Sequence, residues 1–208
     1  MSTPTTFPAR FEIDPPERIS NWRPLVNWLL AIPHFAVIEG LQAAAQALAV
    51  ISWFWILFTG RLPTGVAEFQ AMYVRYVLRN ASFVGFLREE YPPFGFTTTT
   101  ADPGDDRRVT VEVVPDLGER NRVTTGFRLI LAIPHLLVLA ALFLALLVVA
   151  VIGLFAVLFT GAWPRGLRGF AIGVGRWWLR VQAYLLLLTD QYPPFSLDDM
   201  PLPTPTDA

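Results

Sequence analysis

Apolar and polar positions fall into long blocks along this chain. Between residues 25 and 58 the only ionisable side chains are His34 and Glu39; between 129 and 159 there is only His135. About 20 apolar residues in a helix cross the roughly 30 Å hydrocarbon core of a bilayer, so each block is longer than one crossing needs. Pro33 and Pro134 suit the first turn of a helix and disrupt a helix interior. The pattern predicts membrane-spanning helices at about 34–58 and 135–159, each preceded by a short interfacial helix.

Turns at Thr59-Gly60 and Thr160-Gly161 lead into two further helical stretches, about 66–90 and 167–189. At 100° per residue, Glu68, Arg75, Arg79 and Ser82 share one face of the first, and Arg176 and Arg180 keep the stripe in the second. Insertion scales charge about 2.5–3.5 kcal/mol for an Arg at a span's centre. The arginines are therefore expected to face other helices, water, Glu39 or a lipid phosphate. Flat helices with snorkelling arginines are the alternative, but AIGVGRWWLRVQAYLLLL lacks the broad charged face of an interfacial helix. Spanning is favoured. Alternating residues at 10–13 and 109–113, closed by Pro15 and Pro115, predict short β-strands able to pair outside the membrane.

Much of this pattern occurs twice. Ala31-Ile32-Pro33-His34 recurs as Ala132-Ile133-Pro134-His135, Leu57-Phe58-Thr59-Gly60 as Leu158-Phe159-Thr160-Gly161, and Tyr91-Pro92-Pro93-Phe94 as Tyr192-Pro193-Pro194-Phe195. Arg75 and Arg79 match Arg176 and Arg180, every pair being 101 residues apart; the strand-like pieces are offset by 100. The chain divides into a first repeat (7–96), a loop (97–108), a second repeat (109–197) and a Pro- and Asp-rich tail (198–208) expected to be flexible. The predicted fold is an all-α membrane protein: two tandem pseudo-symmetric transmembrane hairpins, four spans, with a short β-strand before each repeat. The arginine distribution, with Arg61, Arg165 and Arg168 at the hairpin turns and the majority on the other side, places both termini in the cytoplasm of a plasma-membrane protein.

The order I-P-H, L-F-T-G-x-x-P-x-G, R-x-x-x-R, Y-P-P-F resembles a bacterial membrane family known as domain of unknown function 4389, present as two tandem copies. Repeat two is the closer match, through Arg176-Trp177 and Thr189-Asp190; repeat one has Tyr76 in place of Trp177 and Arg88-Glu89 in place of Thr189-Asp190. The resemblance implies multi-pass membrane placement and no assigned activity.

Composition agrees with a lipid environment. Of 208 residues 53% are hydrophobic and 16% charged, against about 25% charged in an ordinary soluble domain. The absence of cysteine removes disulfides and thiolate chemistry. A net charge of −1 gives no field to attract nucleic acid. No nucleotide-binding loop, Ser/His/Asp set or HExxH is present, so no catalytic residue and no cofactor is assigned. Arg75, Arg79, Arg176 and Arg180 are the candidates for binding a lipid or other anion. His34 and His135 are candidate haem or metal ligands if the repeat axis brings them together. The expected role is a non-enzymatic accessory or scaffold protein whose partners are the bilayer and a membrane protein or second copy. The alternatives are a small transporter or channel lined by the paired arginines, and a redox subunit using the histidines.

Overall fold

The computed structural model describes residues 6–203. Residues 1–5, and 204–208 of the tail expected to be flexible, lie outside the described residues. Strand β1 (Ala9–Ile13) precedes α1 (Arg23–Leu30), α2 (Ile32–Thr59) and α3 (Thr64–Val84). Strand β2 (Val109–Val113) precedes α4 (Arg122–Thr160) and α5 (Arg165–Leu185). The short helix predicted before each proline is separate only in the first repeat. There Ala31 closes α1 and opens α2, its N–H donating to the Asn27 carbonyl and its carbonyl accepting from Phe35. In the second repeat α4 runs unbroken through Pro134.

Local chemistry sets the helix ends. The Asn121 side chain caps α4, accepting from the N–H groups of Val123 (3.0 Å) and Thr124 (3.2 Å). Gly60 (φ 77°) and Gly161 (φ 69°) end α2 and α4 in the left-handed region, which glycine enters without a Cβ penalty. Helices α3 and α5 stop short of the predicted 90 and 189. Phe86 (φ 56°) and Leu187 (φ 66°), one repeat apart, turn left-handed there. Leu87 then donates to the Ser82 carbonyl and Leu188 to that of Ala183, both at 2.9 Å. This is the six-to-one closure of a Schellman motif, built without glycine at the left-handed position.

The two predicted strands pair antiparallel, and the register is informative. Phe11 faces Val111, with Ala9 opposite Val113 and Ile13 opposite Val109. Phe11 and Val111 are equivalents at the strand offset of 100, so the pairing is centred on a pseudo-two-fold axis. Each strand leans on the other repeat's helix, β1 on α5 and β2 on α3. The repeats are strand-swapped.

The helices form two antiparallel hairpins, α2 with α3 and α4 with α5. The hairpins lie head to tail. Ile19, Phe86 and Leu87 at the open end of the first pack against Val157 and Trp163 at the tip of the second. Trp163 Nε1 donates to the Phe86 carbonyl (2.9 Å) and Ile19 N–H to that of Gly161 (2.7 Å). At the opposite end Arg120 N–H donates to the Gly60 carbonyl (2.8 Å), and Trp53 Nε1 to that of Thr125 (2.8 Å).

Among the described residues two helices, α2 and α4, are long and apolar enough to cross a membrane, where the sequence predicted four. Helices α3 and α5 carry the arginines and lie between the long helices and the sheet. Residues 70–76 of α3 are buried without interruption. By contrast only 17% and 11% of the most apolar stretches of α2 and α4 are buried. A stripe of α2 (His34, Ala45, Ser52, Ile56) is buried, half-buried Leu41, Ala49 and Trp53 flank it, and the opposite side of the helix is open. The loop and tail are also docked rather than free. Asp102 and Asp106 are buried along α3, and Phe7 N–H donates to the Pro201 carbonyl (3.1 Å) beside buried Met200.

Candidate functional site

The R-x-x-x-R spacing puts both arginines of each repeat on one helix face, and that face looks at the sheet and at the segment after each Tyr-Pro-Pro-Phe box. Arg75 Nε donates to the Val111 carbonyl (3.3 Å). Its Nη2 donates to the carbonyls of Thr99 (3.0 Å) and Ala101 (2.9 Å), with Asp102 3.7 Å away. Arg79 pairs with Asp102 (3.0 Å) and Asp105 (2.7 Å). The second repeat repeats the device. Arg176 Nε donates to the Phe11 carbonyl (3.3 Å), and Arg180 donates to the carbonyls of Asp198 (3.0 Å) and Ser196. Arg75 and Arg176 thus each hold the middle residue of the other repeat's strand.

Acidic residues complete the clasp. Asp102 accepts from Val111 N–H (2.8 Å) as well as from Arg79, and Asp106, fully buried, pairs with Arg88 and accepts from Val109 N–H (3.2 Å). In the second repeat Asp199 takes a hydrogen bond from Arg10 (2.9 Å) and lies 3.8 Å from Arg176. Burial pushes the Asp199 carboxyl up, but the Arg10 hydrogen bond and the charges of Arg176 and Arg10 outweigh it and hold the group below its ordinary value. The four arginines proposed as anion ligands are therefore engaged inside the protein. Arg75 and Arg79 are 3% exposed at the side chain and Arg176 25%, so few donors remain for an outside phosphate.

The structure places the two histidines in matching cages. His34 stacks on Phe94 (4.1 Å between centroids), lies 4.9 Å from Tyr91, and its Nδ1 is 2.6 Å from the Tyr76 hydroxyl. His135 stacks on Phe195 (4.0 Å), lies 4.7 Å from Tyr192, and its Nδ1 accepts from Trp177 Nε1 (3.2 Å). Indole N–H is a donor only, so His135 Nδ1 carries no proton and the neutral ring's proton sits on Nε2. Among the described residues Nε2 has no hydrogen-bond partner in either cage. Each ring is enclosed by aromatics of its own repeat, and the structure does not bring the two imidazoles together. Among the described residues no group of three His, Asp or Glu side chains could hold a metal ion. The Tyr-Pro-Pro-Phe box is the lid of this cage: Tyr91 and Tyr192 donate to the Leu30 and Leu131 carbonyls (3.2 and 3.1 Å), closing the box onto the end of α1 in the first repeat and onto α4 in the second.

The repeat unit is thus defined in space by an imidazole, its box, and an arginine face. The family described as "Domain of unknown function (DUF4389)" matches residues 21–95 and again 122–196. The chain belongs to this family. The two matches are themselves 101 residues apart and leave both strands outside, so the DUF4389 unit is the helical hairpin with its box. The swapped strands are added to it. No curated protein and no solved structure matches the chain.

Where the first DUF4389 unit departs from the second, the geometry shows compensation. Tyr76 and Trp177 both serve the histidine. Glu89 and Asp190 both accept a backbone N–H at the entrance of their unit, from Ser20 and from Asn121 (3.1 Å). One pair was missed in the sequence. Asn27 and Arg128, 101 residues apart, both donate to the last-turn carbonyl of the second helix, Phe83 (2.9 Å) and Tyr184 (2.6 Å). The constant offset carried that signal, but the two side chains are chemically unlike. Two shallow clefts on the sheet side, about 340 and 500 Å³, share Arg107 and Arg108 and mix them with Glu12, Asp14, Glu90 and Asp105.

Proposed function

We propose that this DUF4389 protein is an integral membrane scaffold or accessory protein with no catalytic step of its own, resident in the plasma membrane and presenting its sheet-bearing layer to a membrane protein or a second copy. The observation that carries this reading is the outer surface of α2 and α4. Phe58 and Phe159 are 80% and 76% exposed, with Leu137 and Leu144 at 68%. Soluble monomers rarely expose contiguous apolar patches beyond a few hundred Å²; two helices of 28 and 39 residues exceed that. Lipid covers such a surface without further protein.

The polar chemistry supports a structural role. Arginines and aspartates are matched to one another or to backbone groups, and each histidine Nδ1 to a tyrosine hydroxyl or an indole N–H, in both repeats, which is how a rigid layer is built. Arginines held this way give the transporter reading no support, and separate imidazole cages give the paired-ligand reading none. The β1–β2 pairing and the Phe7–Pro201 hydrogen bond put both ends of the described chain on one face, consistent with termini on the same side. The test is alkaline carbonate extraction of membranes from cells making the protein. The proposal expects it to stay in the pellet and to need detergent for release. Recovery in the carbonate supernatant would refute lipid embedding.

A further inference from the structure

Accepting lipid embedding, we infer that α2 and α4 do not cross the bilayer but lie along it, buried in a single leaflet as an apolar slab beneath a polar layer. Strands β1 and β2 pair residue for residue, so they share one side of any membrane, and the chain between them crosses zero or two times. Two crossings need α3 to traverse the bilayer beside α2. Yet Arg75, at the centre of α3, holds the Val111 carbonyl, and Arg176, at the centre of α5, holds that of Phe11. The sheet therefore stands over the middle of both hairpins, not at an end. Upright hairpins would carry the sheet, with Glu12 and Glu112, to mid-bilayer, where charged side chains cost several kcal/mol each. Zero crossings remove the conflict.

Three further features fit the in-plane arrangement. The hairpins run head to tail, so both ends of each long helix meet the same polar layer. Exposed arginines flank both ends, Arg61 and Arg122 at one and Arg165 at the other, where anionic headgroups of the same leaflet would meet them. Exposed Trp22, Trp28 and Trp55 sit near the two ends of the α1–α2 arm, at headgroup depth in this arrangement. The occupant of the apolar face is the acyl region of one leaflet.

The native absence of cysteine makes the test clean. Single cysteines at Arg61→Cys and Arg165→Cys (hairpin tips) and Thr98→Cys (sheet side) are probed with an impermeant maleimide in sealed vesicles of each orientation. All three are expected to react from one and the same side. Tips reacting from the side opposite Thr98→Cys would establish four spans, and tips on opposite sides would establish one crossing per repeat; either overturns the inference while leaving lipid embedding intact. Release of the protein by carbonate would overturn both. A second readout uses spin labels at Leu137→Cys, Leu144→Cys and Val151→Cys. In-plane α4 gives equal access to lipid-dissolved oxygen at all three. A spanning helix changes depth by about 21 Å over those 14 residues and gives a steep gradient. No oxygen access at any of them would mean that protein, not lipid, covers the face, and would also overturn the inference.

Discussion

At the scale of single residues, the arginine faces act as staples between repeats, and their importance follows burial. Arg75 and Asp102 are 3% and 5% exposed at the side chain. Removing Arg75 strips charge-assisted hydrogen bonds from the Val111, Thr99 and Ala101 carbonyls, worth about 1.5–3 kcal/mol each, while Asp102 keeps its pairing with Arg79. Arg75→Ala should therefore lower the thermal midpoint far more than Arg176→Ala, whose side chain is partly in water; thermal unfolding in detergent measures the difference, and equal losses would contradict the staple. The histidine cage makes a finer prediction. Tyr76→Trp should be tolerated, since Trp177 already serves His135 from the equivalent position. His34→Phe should cost about 1–3 kcal/mol by leaving the buried Tyr76 hydroxyl unmatched, and adding Tyr76→Phe should restore most of it. A double variant no better than the single would show that stacking on Phe94, not the hydrogen bond, is the cage's main contribution.

The strand–tail clasp is also pH-sensitive. Asp199 is held below its ordinary value in the folded state, so its contribution is fully present above the unfolded carboxyl value of about 3.9 and is lost as pH falls through the lower folded value. Glu89 and Glu90 shift in the same direction: burial raises each, and hydrogen bonds, from Ser20 for Glu89 and from the backbone and Arg108 for Glu90, outweigh it. The stability contributed by these three carboxylates should be flat from neutral pH to about 4 and fall below that. Asp199→Asn should reduce the acid-side loss while lowering stability at pH 7; amide exchange across β1 as a function of pH reads both.

At the scale of elements, contact decides what a glycine is for. Gly153 of α4 lies against the Trp163 ring, which a Cβ would enter, and the ring is tethered through Nε1 to the Phe86 carbonyl. Gly153→Ala should destabilise by about 1–3 kcal/mol through overpacking, more than the gain in helix propensity of about 1 kcal/mol offsets. Gly40, with nothing near its missing Cβ, should accept Ala without loss. Thermal unfolding of both variants separates packing from propensity. The duplication, the two apolar helices, the strands and the turns at Gly60 and Gly161 were legible in the sequence, since each is a local pattern or a constant offset. The ends of α3 and α5 were not, because Phe86 and Leu187 adopt a left-handed conformation that their residue types disfavour and that tertiary bonds to their carbonyls hold in place. The destination of the arginines was half legible. Their inward face followed from the cost of exposing charge to lipid, but the groups they meet lie in the loop, the tail and the other repeat's strand, which no periodicity reveals.

At the scale of the molecule, strand swapping makes the two halves interdependent. β1 is joined to the first repeat by sequence but rests on α5, β2 is joined to the second but rests on α3, and each hairpin tip closes the open end of the other. Cutting the connection between the repeats should therefore not separate them. Gly104 is an exposed loop residue with open space around it. A protease site inserted there leaves Asp102 with the first fragment, and Asp106 with the second still able to pair with Arg88 across the cut. After cleavage the fragments should co-purify in mild detergent and unfold in one transition. Expressed alone, the first fragment lacks the strand that Arg75 holds and leaves the buried face of α3 open, so it should aggregate unless the second is supplied. Fragments that part without denaturant, or a first half that folds alone, would show that each repeat is self-sufficient and that the swapped sheet is ornament on two independent hairpins.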